Sequence, residues 1–359
     1  MEYTTIGKSC SLVSGGTPSR SKDEYWRNGT IPWIKIGNIK SKYVNGYDEL
    51  ITEQGLNNSS AKLLKKGTIL YTIFATLGEV GILDIEACTN QAIVGISIND
   101  SRITTDYLYY YLKSKKEYVN SIGRGVAQNN INLTTLKEFE IPLIDVDKQL
   151  NIVKSLEKTE KIIDLKKNEI DDLDLLIKAR FVEMFGDPLD GTAKYPIHQV
   201  GEVANSVDPQ PSHRTPPVEE GGIPYVSIKD CDYKTGKIDF EGARKVSPKV
   251  LEEHMNRYTL HDGDFVVGKI GTIGNPVFVP ARNDYTLSAN VVLVQPNSEL
   301  VSPYFLKYSF ESDFVERQFA EAKNSTSQAA FGIQKVRTVE VMNPDLDVQR
   351  EFEIFVKQV

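Results

Sequence analysis

An internal repeat is the feature that most constrains the fold of this chain. Residues 31–40 read IPWIKIGNIK, and residues 223–230 read IPYVSIKD, 192 positions later. Three further matches lie 196 positions apart and pair Gly67 with Gly263, Thr76 with Thr272 and Gly78 with Gly274. One short match can arise by chance, but several in the same order indicate a duplicated module. A chain of 359 residues has room for two such copies.

Each copy has a mixed composition in which strand signals dominate. Short runs rich in β-branched residues, such as TILYTIF, VGISI, DFVVGKI and NVVLVQP, are separated by Gly, Asn and Pro. A stretch rich in Tyr and Phe near the end of each copy, starting at DYLYYYLKS and PYFLKYSFE, predicts helix. The sequence therefore predicts an α+β fold with two strand-rich domains, which we call module 1 (residues 1–146) and module 2 (residues 189–348).

The segment between the two copies, residues 147–188, differs from them in composition and in the spacing of its apolar residues. It contains no Gly or Pro before Gly186, and apolar residues recur every seven positions. The predicted stripe comprises Val153, Leu156, Ile163, Ile170, Leu173 and Ile177. A seven-residue apolar repeat with Lys and Glu between is typical of a coiled coil, and Gly186 and Pro188 suit the end of a helix. We expect a long spacer helix, with an ordinary amphipathic core helix as the alternative.

The repeat also predicts a second spacer helix. At an offset of 200, the last residue, Val359, corresponds to position 159 of the first helix, so residues 349–359 would be only the start of a second one. The expectation is that the second helix is truncated. The stripe of the first helix would then seek a partner from another subunit or from a second copy of the chain.

Charge and cysteine content narrow the class of protein. The formal net charge is −7 and neither half is strongly basic, so tight binding of a phosphate backbone by this chain alone is not implied. The three cysteines are odd in number and far apart, which favours reduced thiols in the cytoplasm. No apolar run is long enough to span a membrane, and no signal peptide is visible.

Five segments together resemble one known family. They are SGGTPSRSKDEYWRNGTIPWIKIGNI (14–39), GTILYTIFATLGEVGI (67–82), TNQAI (89–93), IPLIDVDKQLNIV (141–153) and ARFVEMFGDP (179–188). With the tandem order of domain, long helix and domain, they are similar to the specificity subunit of a type I restriction-modification enzyme. No single motif is diagnostic, but the ordered set is specific, and module 2 matches more loosely.

The resemblance implies a function and a set of partners. Each module would read one half of a bipartite double-stranded DNA target, and the helix would set the spacing and dock methyltransferase subunits, two in the family. Endonuclease subunits join some complexes. S-adenosylmethionine is expected on the methyltransferase partner, and no cofactor or metal on this chain. The near absence of the second helix puts in doubt whether the chain is competent alone.

Hydroxyl, amide and cationic side chains in Gly-rich loops are the groups that contact DNA grooves and phosphates. In module 1 the candidates are Ser14, Thr17, Ser19, Arg20, Lys35, Asn38, Thr76, Gly78, Asn90, Gln91, Arg124, Gln128, Asn129 and Asn130. In module 2 they are Ser212, His213, Arg214, Thr215, Lys229, Lys269, Thr272, Ser288, Asn290, Lys323, Ser327 and Gln328. Solvated turns are the alternative for most of these, and Trp26 and Trp33 are expected in the core.

Catalysis has little support in the sequence. The four histidines lack the spaced carboxylate or cysteine partners of a metal site, and GKIGTIG departs from the nucleotide-binding pattern GxxxxGK[ST]. The sequence therefore predicts a non-catalytic DNA-recognition subunit. The alternative is a truncated interaction or regulatory protein that binds methyltransferase subunits without productive DNA reading.

Overall fold

The computed structural model of the chain describes residues 2–123, 130–210, 212, 214–269, 274–324 and 332–359. They form two compact units, Met1–Leu165 and Lys166–Val359, and the boundary falls inside the long helix. Each unit contains one copy of the repeat.

Module 1 contains ten strands and five helices among its described residues. The strands are β1 Glu2–Thr5, β2 Cys10–Ser14, β3 Ile31–Ile34, β4 Tyr43–Val44, β5 Glu49–Ile51, β6 Ile69–Thr72, β7 Val80–Leu83, β8 Cys88–Thr89, β9 Ile93–Ile98 and β10 Glu140–Leu143. The helices are α1 Ile6–Ser9, α2 Glu53–Asn57, α3 Thr105–Ser114, α4 Lys116–Gly123 and α5 Leu133–Lys137. The Tyr-rich stretch was predicted as one helix, but it forms two, α3 and α4, with Lys115 between them.

Two sheets and a terminal strand pair organise module 1. One sheet has the order β2-β9-β6-β7-β4, and the other has the order β5-β3-β8 with β3 and β8 parallel. Strand β1 pairs with β10, so the two ends of the module meet. All four residues of β6 are buried: Ile69 and Tyr71 pack in a core with α3, and Leu70 packs on the opposite face. Apolar residues on both faces explain why this strand reads as a continuous apolar run.

Module 2 repeats this plan. Its strands are β11 Ile197–Gln199, β12 Ala204–Val207, β13 Ile223–Val226, β14 Cys231–Asp232, β15 Lys237–Ile238, β16 Arg244–Val246, β17 Phe265–Gly268, β18 Val277–Phe278, β19 Thr286–Leu287, β20 Val291–Pro296 and β21 Glu340–Met342. Its helices are α7 Val200–Val203, α8 Pro248–Met255, α9 Pro303–Phe310, α10 Asp313–Asn324 and α11 Ile333–Arg337. The sheet orders β12-β20-β17-β18 and β16-β13-β19 correspond to β2-β9-β6-β7 and β5-β3-β8 of module 1, and only β4 lacks a counterpart among the described strands of these sheets.

Backbone geometry confirms that the two copies are equivalent. Gly67 and Gly263 have φ of 87° and 91°, and Gly78 and Gly274 have φ of 77° and 95°. Such values suit glycine because it has no Cβ. The modules differ locally: β4 lies parallel to β7 in module 1, whereas module 2 has the hairpin β14–β15.

The spacer helix was correctly predicted. It is a single element, Val146–Phe185 (here called α6), 40 residues long, which corresponds to about 60 Å at 1.5 Å per residue. Gly186 follows with φ of 79°, and its N–H donates to the carbonyl of Val182 at 2.8 Å. This left-handed glycine ends the helix.

A further helix, Leu346–Gln358 (α12), follows module 2. It occupies the position that the repeat predicts for the start of a second spacer helix.

Both helices dock on their modules through the same buried side chain. Gln149 of α6 accepts from the N–H of Thr104 at 3.0 Å and donates to the carbonyls of Arg102 and Ile144 at 2.6 and 2.9 Å. Gln349 of α12, 200 positions later, accepts from the N–H of Ser302 and donates to the carbonyl of Pro344, both at 2.7 Å. These two glutamines are fully buried, and sequence reasoning missed their role.

Candidate nucleic-acid interface

The candidate loop of module 1, residues 14–21, has a tightly packed beginning. A Cβ atom on Gly15 would lie 2.0 Å from the carbonyl oxygen of Asn90, and one on Gly16 would lie 2.3 Å from Ser60 Oγ. Trp33 Nε1 donates to the carbonyl of Gly16 at 2.9 Å, and Trp33 is buried as predicted. The strand β2, which ends at Ser14, therefore leads into a loop whose first turn is fixed by its surroundings.

Polar candidates from separate segments meet along this loop. Thr17 Oγ1 donates to Gln91 Oε1, so positions 74 residues apart in sequence are in contact. Ser19 is exposed; its hydroxyl contacts that of Ser21 at 2.9 Å, and its carbonyl accepts from Trp26 Nε1 at 3.1 Å.

Arg20 is the most strongly held cation of this group. Its guanidinium carbon lies 3.6 Å from the centre of the Trp26 ring, and Nη1 lies 2.5 Å from Glu49 Oε2. Stacking on an aromatic ring and pairing with a carboxylate both restrict the planar guanidinium. The side chain is nevertheless 54% exposed, so Arg20 is oriented while it faces solvent.

Lys35 binds the other oxygen of the same carboxylate, with Nζ 2.7 Å from Glu49 Oε1. Partial burial acts to raise the pKa of Glu49, but hydrogen bonds from Lys35 and Arg20 outweigh it and lower that pKa. The hydrogen bond to Glu49 in turn raises the pKa of Lys35. One ionised carboxylate thus holds two cations side by side, a pattern suited to contacts with phosphate or with guanine.

Asn38 ends the short 3₁₀ helix Ile36–Asn38 that follows β3. Its Oδ1 accepts from the N–H of Lys35 at 2.8 Å, and its Nδ2 donates to Asp48 at 3.0 Å. In module 2 the N–H of Ser227 donates to Asp230 at 2.8 Å, 192 positions later. The oxygen of Asn38 therefore has a structural role that the repeat preserves.

A second group of candidates surrounds the loop between β6 and β7. Thr76 is exposed there, and Gly78 passes close to the backbone of Lys116, where an added Cβ would lie 3.2 Å from Cα. Phe74 in this loop forms an isolated antiparallel β-bridge with Asn130. The remaining candidates of this group, Arg124, Gln128 and Asn129, lie outside the described residues.

Module 2 presents an equivalent loop after β12. Arg214 lies 194 positions after Arg20, the same offset that separates the first residues of β2 and β12, Cys10 and Ala204. The candidates Ser212, Arg214, Thr215 and Lys229 are exposed. Unlike Arg20, Arg214 makes no ion pair within the described part of the chain. His213, Thr272, Ser327, Gln328 and the side chain of Lys323 lie outside the described residues.

Two predicted contacts of module 2 are interior residues instead. Lys269 is 5% exposed and pairs with Asp208 at 2.7 Å, and Ser288 is 3% exposed. Their side chains are unavailable to DNA in this structure because both are enclosed. Lys269 instead ties Asp208, the first residue after β12, to the end of β17.

Ser288 and its counterpart Asn90 each cap a turn. Ser288 Oγ accepts from the N–H of Asn290, and Asn90 Oδ1 accepts from the N–H of Ala92, both at 3.2 Å. The side chain of Asn290 is exposed. The DNA contacts assigned to Asn90 and Asn290 stay predictions.

The predicted stripe on α6 is divided. Val153 packs in the core of module 1 and Ile177 in that of module 2, each 6% exposed, so neither is free for a partner. Leu156, Ile163 and Ile170 are 39%, 47% and 50% exposed, and Leu173 is half-buried. The exposed apolar stripe on α6 is therefore shorter than the sequence predicted, because the residues at its two ends pack in the cores of the modules.

Within the described residues, no three His, Cys, Asp or Glu side chains form a group that could hold a metal ion. None of the described helices is long and apolar enough to cross a membrane.

Comparison with known proteins defines the class of this duplicated fold. A model of the type I restriction modification DNA specificity domain matches residues 1–175 and again residues 194–359. The chain belongs to this family.

Named relatives agree with this class. The chain is 33% identical over 181 residues to the type I restriction enzyme MjaIX specificity subunit of Methanocaldococcus jannaschii, covering 49% of the chain and 41% of that protein. It is 27% identical to the EcoR124I/EcoR124II specificity subunit of Escherichia coli, covering 44% of the chain and 40% of that protein. These matches span less than half of each relative. The MjaVIII specificity subunit of M. jannaschii is 22% identical over 97% of the chain and 83% of its own length.

Solved structures agree on the fold. The S subunit of a type I restriction-modification system from M. genitalium superposes with a TM-score of 0.52 at 15% identity, covering 99% of this chain and 89% of that one. A chain from a type I restriction-modification system studied for its complex assembly gives a TM-score of 0.54 at 16% identity, with the same coverage.

Proposed function

We propose that this chain is the non-catalytic DNA specificity subunit of a type I restriction-modification complex. Each module reads one half of a bipartite target, and α6 sets the spacing between the half-sites. The subunit acts in the cytoplasm, where it assembles with two methyltransferase subunits and, in some complexes, with endonuclease subunits. S-adenosylmethionine binds to the methyltransferase partner.

One observation carries this proposal: two modules of the same fold present loops of different chemistry at equivalent positions. Arg20 and Lys35 share Glu49 in module 1, whereas Arg214 of module 2 is held through its backbone carbonyl, which accepts from Gln210 at 3.3 Å. Paired copies with unlike contact loops suit a target with two unlike halves. A protein distinguishes base pairs through hydrogen bonds to their edges, and a good bidentate contact contributes about 1–3 kcal/mol of discrimination.

The net charge of −7 supports a role inside a complex. Binding that depends on phosphate contacts weakens without clustered cations, so the full chain alone is expected to bind DNA weakly. Methyltransferase subunits would supply the remaining contacts.

The test is reconstitution of the full chain with the methyltransferase subunits from its own genome. Methylated adenines are then mapped on genomic DNA. The proposal predicts one bipartite sequence with an adenine modified in each half. Methylation without a shared sequence, or at a single undivided site, would contradict it.

The exposed residues Leu156, Ile163 and Ile170 favour a second candidate, a regulatory protein that binds methyltransferase subunits, or another copy of itself, without reading DNA. Such a protein would assemble through α6 but yield no methylation in the same experiment. Ile163→Asp is expected to weaken assembly under either function, because the side chain is 47% exposed and its loss leaves the module cores intact. Gel filtration measures that assembly, and Lys161→Asp, at an exposed position on the opposite face of α6, is the control.

A further inference from the structure

A chain of hydrogen bonds connects the core of module 2 to the loop that carries Arg214. His254, in α8, is 3% exposed, and its Nδ1 lies 2.6 Å from Thr286 Oγ1. Its Nε2 contacts Gln210 Oε1. Gln210 Nε2 then donates to Ser212 Oγ at 2.7 Å and to the carbonyl of Arg214 at 3.3 Å.

The partners determine the direction of each bond. The carbonyl of Arg214 only accepts, so the amide nitrogen of Gln210 faces the loop and its oxygen faces His254. That oxygen only accepts, so the ring proton of His254 is on Nε2. A neutral ring then accepts at Nδ1 from the hydroxyl of Thr286, which in turn lies 2.9 Å from the hydroxyl of Tyr258. Every bond of the chain is satisfied when His254 is neutral.

Module 1 holds the equivalent position of its loop through a different hydrogen bond. Gly16 is the equivalent of Gln210, 194 positions earlier, and its carbonyl accepts from Trp33 Nε1 at 2.9 Å. The equivalent of Trp33 is Tyr225, whose hydroxyl instead accepts from the N–H of Ala289. Both modules thus anchor the loop after the second strand, module 1 through Trp33 at this position and module 2 through His254.

We propose that Gln210, oriented by His254, is the residue that positions Ser212 and Arg214 and thereby sets the base preference of module 2. This inference rests on the proposed function. His254 and Gln210 act through the loop and are positioning residues, not DNA contacts.

The surroundings of His254 favour the neutral ring that this chain uses. A second proton, on Nδ1, would face the hydroxyl of Thr286, which must then turn and donate elsewhere, while the Nε2–H bond to Gln210 would remain. Burial, followed by the charge of Arg257, lowers the pKa of His254, and Glu253 opposes this. Tyr258 and Tyr225 also face the ring, and the ion pair of Asp208 and Lys269 lies beyond Gln210. His254 and Arg282 both line a surface cavity of about 450 Å³.

The test uses the full chain assembled with methyltransferase subunits and a pool of duplexes randomised across both half-sites. Base preferences are read from the bound fraction. Gln210→Ala is expected to reduce discrimination at one half-site about tenfold, the value of one good base contact, and to leave the other half-site unchanged. No change, or an equal loss at both half-sites, overturns the inference. If the wild-type complex selects no bipartite sequence at all, the proposed function itself fails.

A second variant separates positioning from folding. In His254→Gln the new amide can still donate toward Gln210, whereas the side chain of His254→Leu cannot. His254→Leu is expected to lose about tenfold in discrimination at the affected half-site relative to the other. His254→Gln is expected to keep it. His198→Leu, which removes a half-buried histidine of β11 outside this chain of hydrogen bonds, is the control and should follow the wild type. Equal discrimination in His254→Leu and the wild type overturns the inference.

Discussion

Replacing Gln149 by Ala should detach the first turns of α6 from module 1. The side chain is fully buried and makes hydrogen bonds at both ends, to the N–H of Thr104 and to the carbonyls of Arg102 and Ile144. Truncation leaves these backbone groups without partners. A buried unsatisfied group costs about 1–3 kcal/mol, and water entering beside the half-buried Thr104 would relieve part of that. We expect a loss of about 3 kcal/mol.

Hydrogen exchange measured by mass spectrometry resolves where this loss falls. A local loss of about 3 kcal/mol corresponds to roughly a hundredfold faster exchange, since each 1.4 kcal/mol is a factor of ten. Gln149→Ala should accelerate exchange in residues 104–112 and 146–156. Its repeat counterpart, Gln349→Ala, should do so in residues 302–310 and 346–356. Gln54→Ala, at an exposed position, should change stability by less than about 0.5 kcal/mol.

The two variants test the equivalence of the modules as well as the bond energies. Because the glutamines lie in separate units, their effects should add in the double variant. Unchanged protection in Gln149→Ala, or acceleration spread evenly over both modules, would refute the reasoning.

Three further outcomes follow from other sites. Arg20→Lys should weaken binding of the assembled complex to its DNA target about tenfold, because an ammonium cannot reproduce the planar stack on Trp26 at 3.6 Å; retention of full affinity in a titration would contradict this. Asp208→Asn should lower the stability of module 2 by about 3 kcal/mol in urea unfolding, because it leaves the buried Lys269 without its counter-charge; a loss below about 1 kcal/mol would argue against a buried pair. Burial raises the pKa of Cys88 to about 11, so its thiol should react with a disulfide reagent at pH 8 only after unfolding, and rapid labelling of the native chain would show that it is accessible.

Much of the architecture could be predicted from the sequence because it depends on local chemistry. Heptad spacing and Gly186 define α6 to within a residue or two, since a helix is fixed by contacts three to four residues apart. The repeat then relates most strands of module 1 to strands of module 2, although β4 and the hairpin β14–β15 differ. Gly78 and Gly274 were recognisable because a left-handed turn restricts the residue type.

The sites were harder to predict because they depend on contacts between distant positions. Lys269 reads as a loop cation, yet its partner Asp208 lies 61 positions earlier and draws it into the interior. The pairing of His254 with Gln210 joins residues 44 positions apart. The repeat does align Gln149 with Gln349, which could have indicated a shared role. That role was still missed, because glutamine is not expected to be buried.

The crowded turn at Gly15 and Gly16 has a consequence for how such a protein changes over generations. Substitutions there meet backbone or side-chain atoms within 2.3 Å and disturb the turn, whereas Ser19 and Arg20, a few residues on, are exposed and can be replaced without such clashes. Substitutions therefore accumulate at the residues that face solvent. A lineage can acquire a new DNA preference there without first losing its fold.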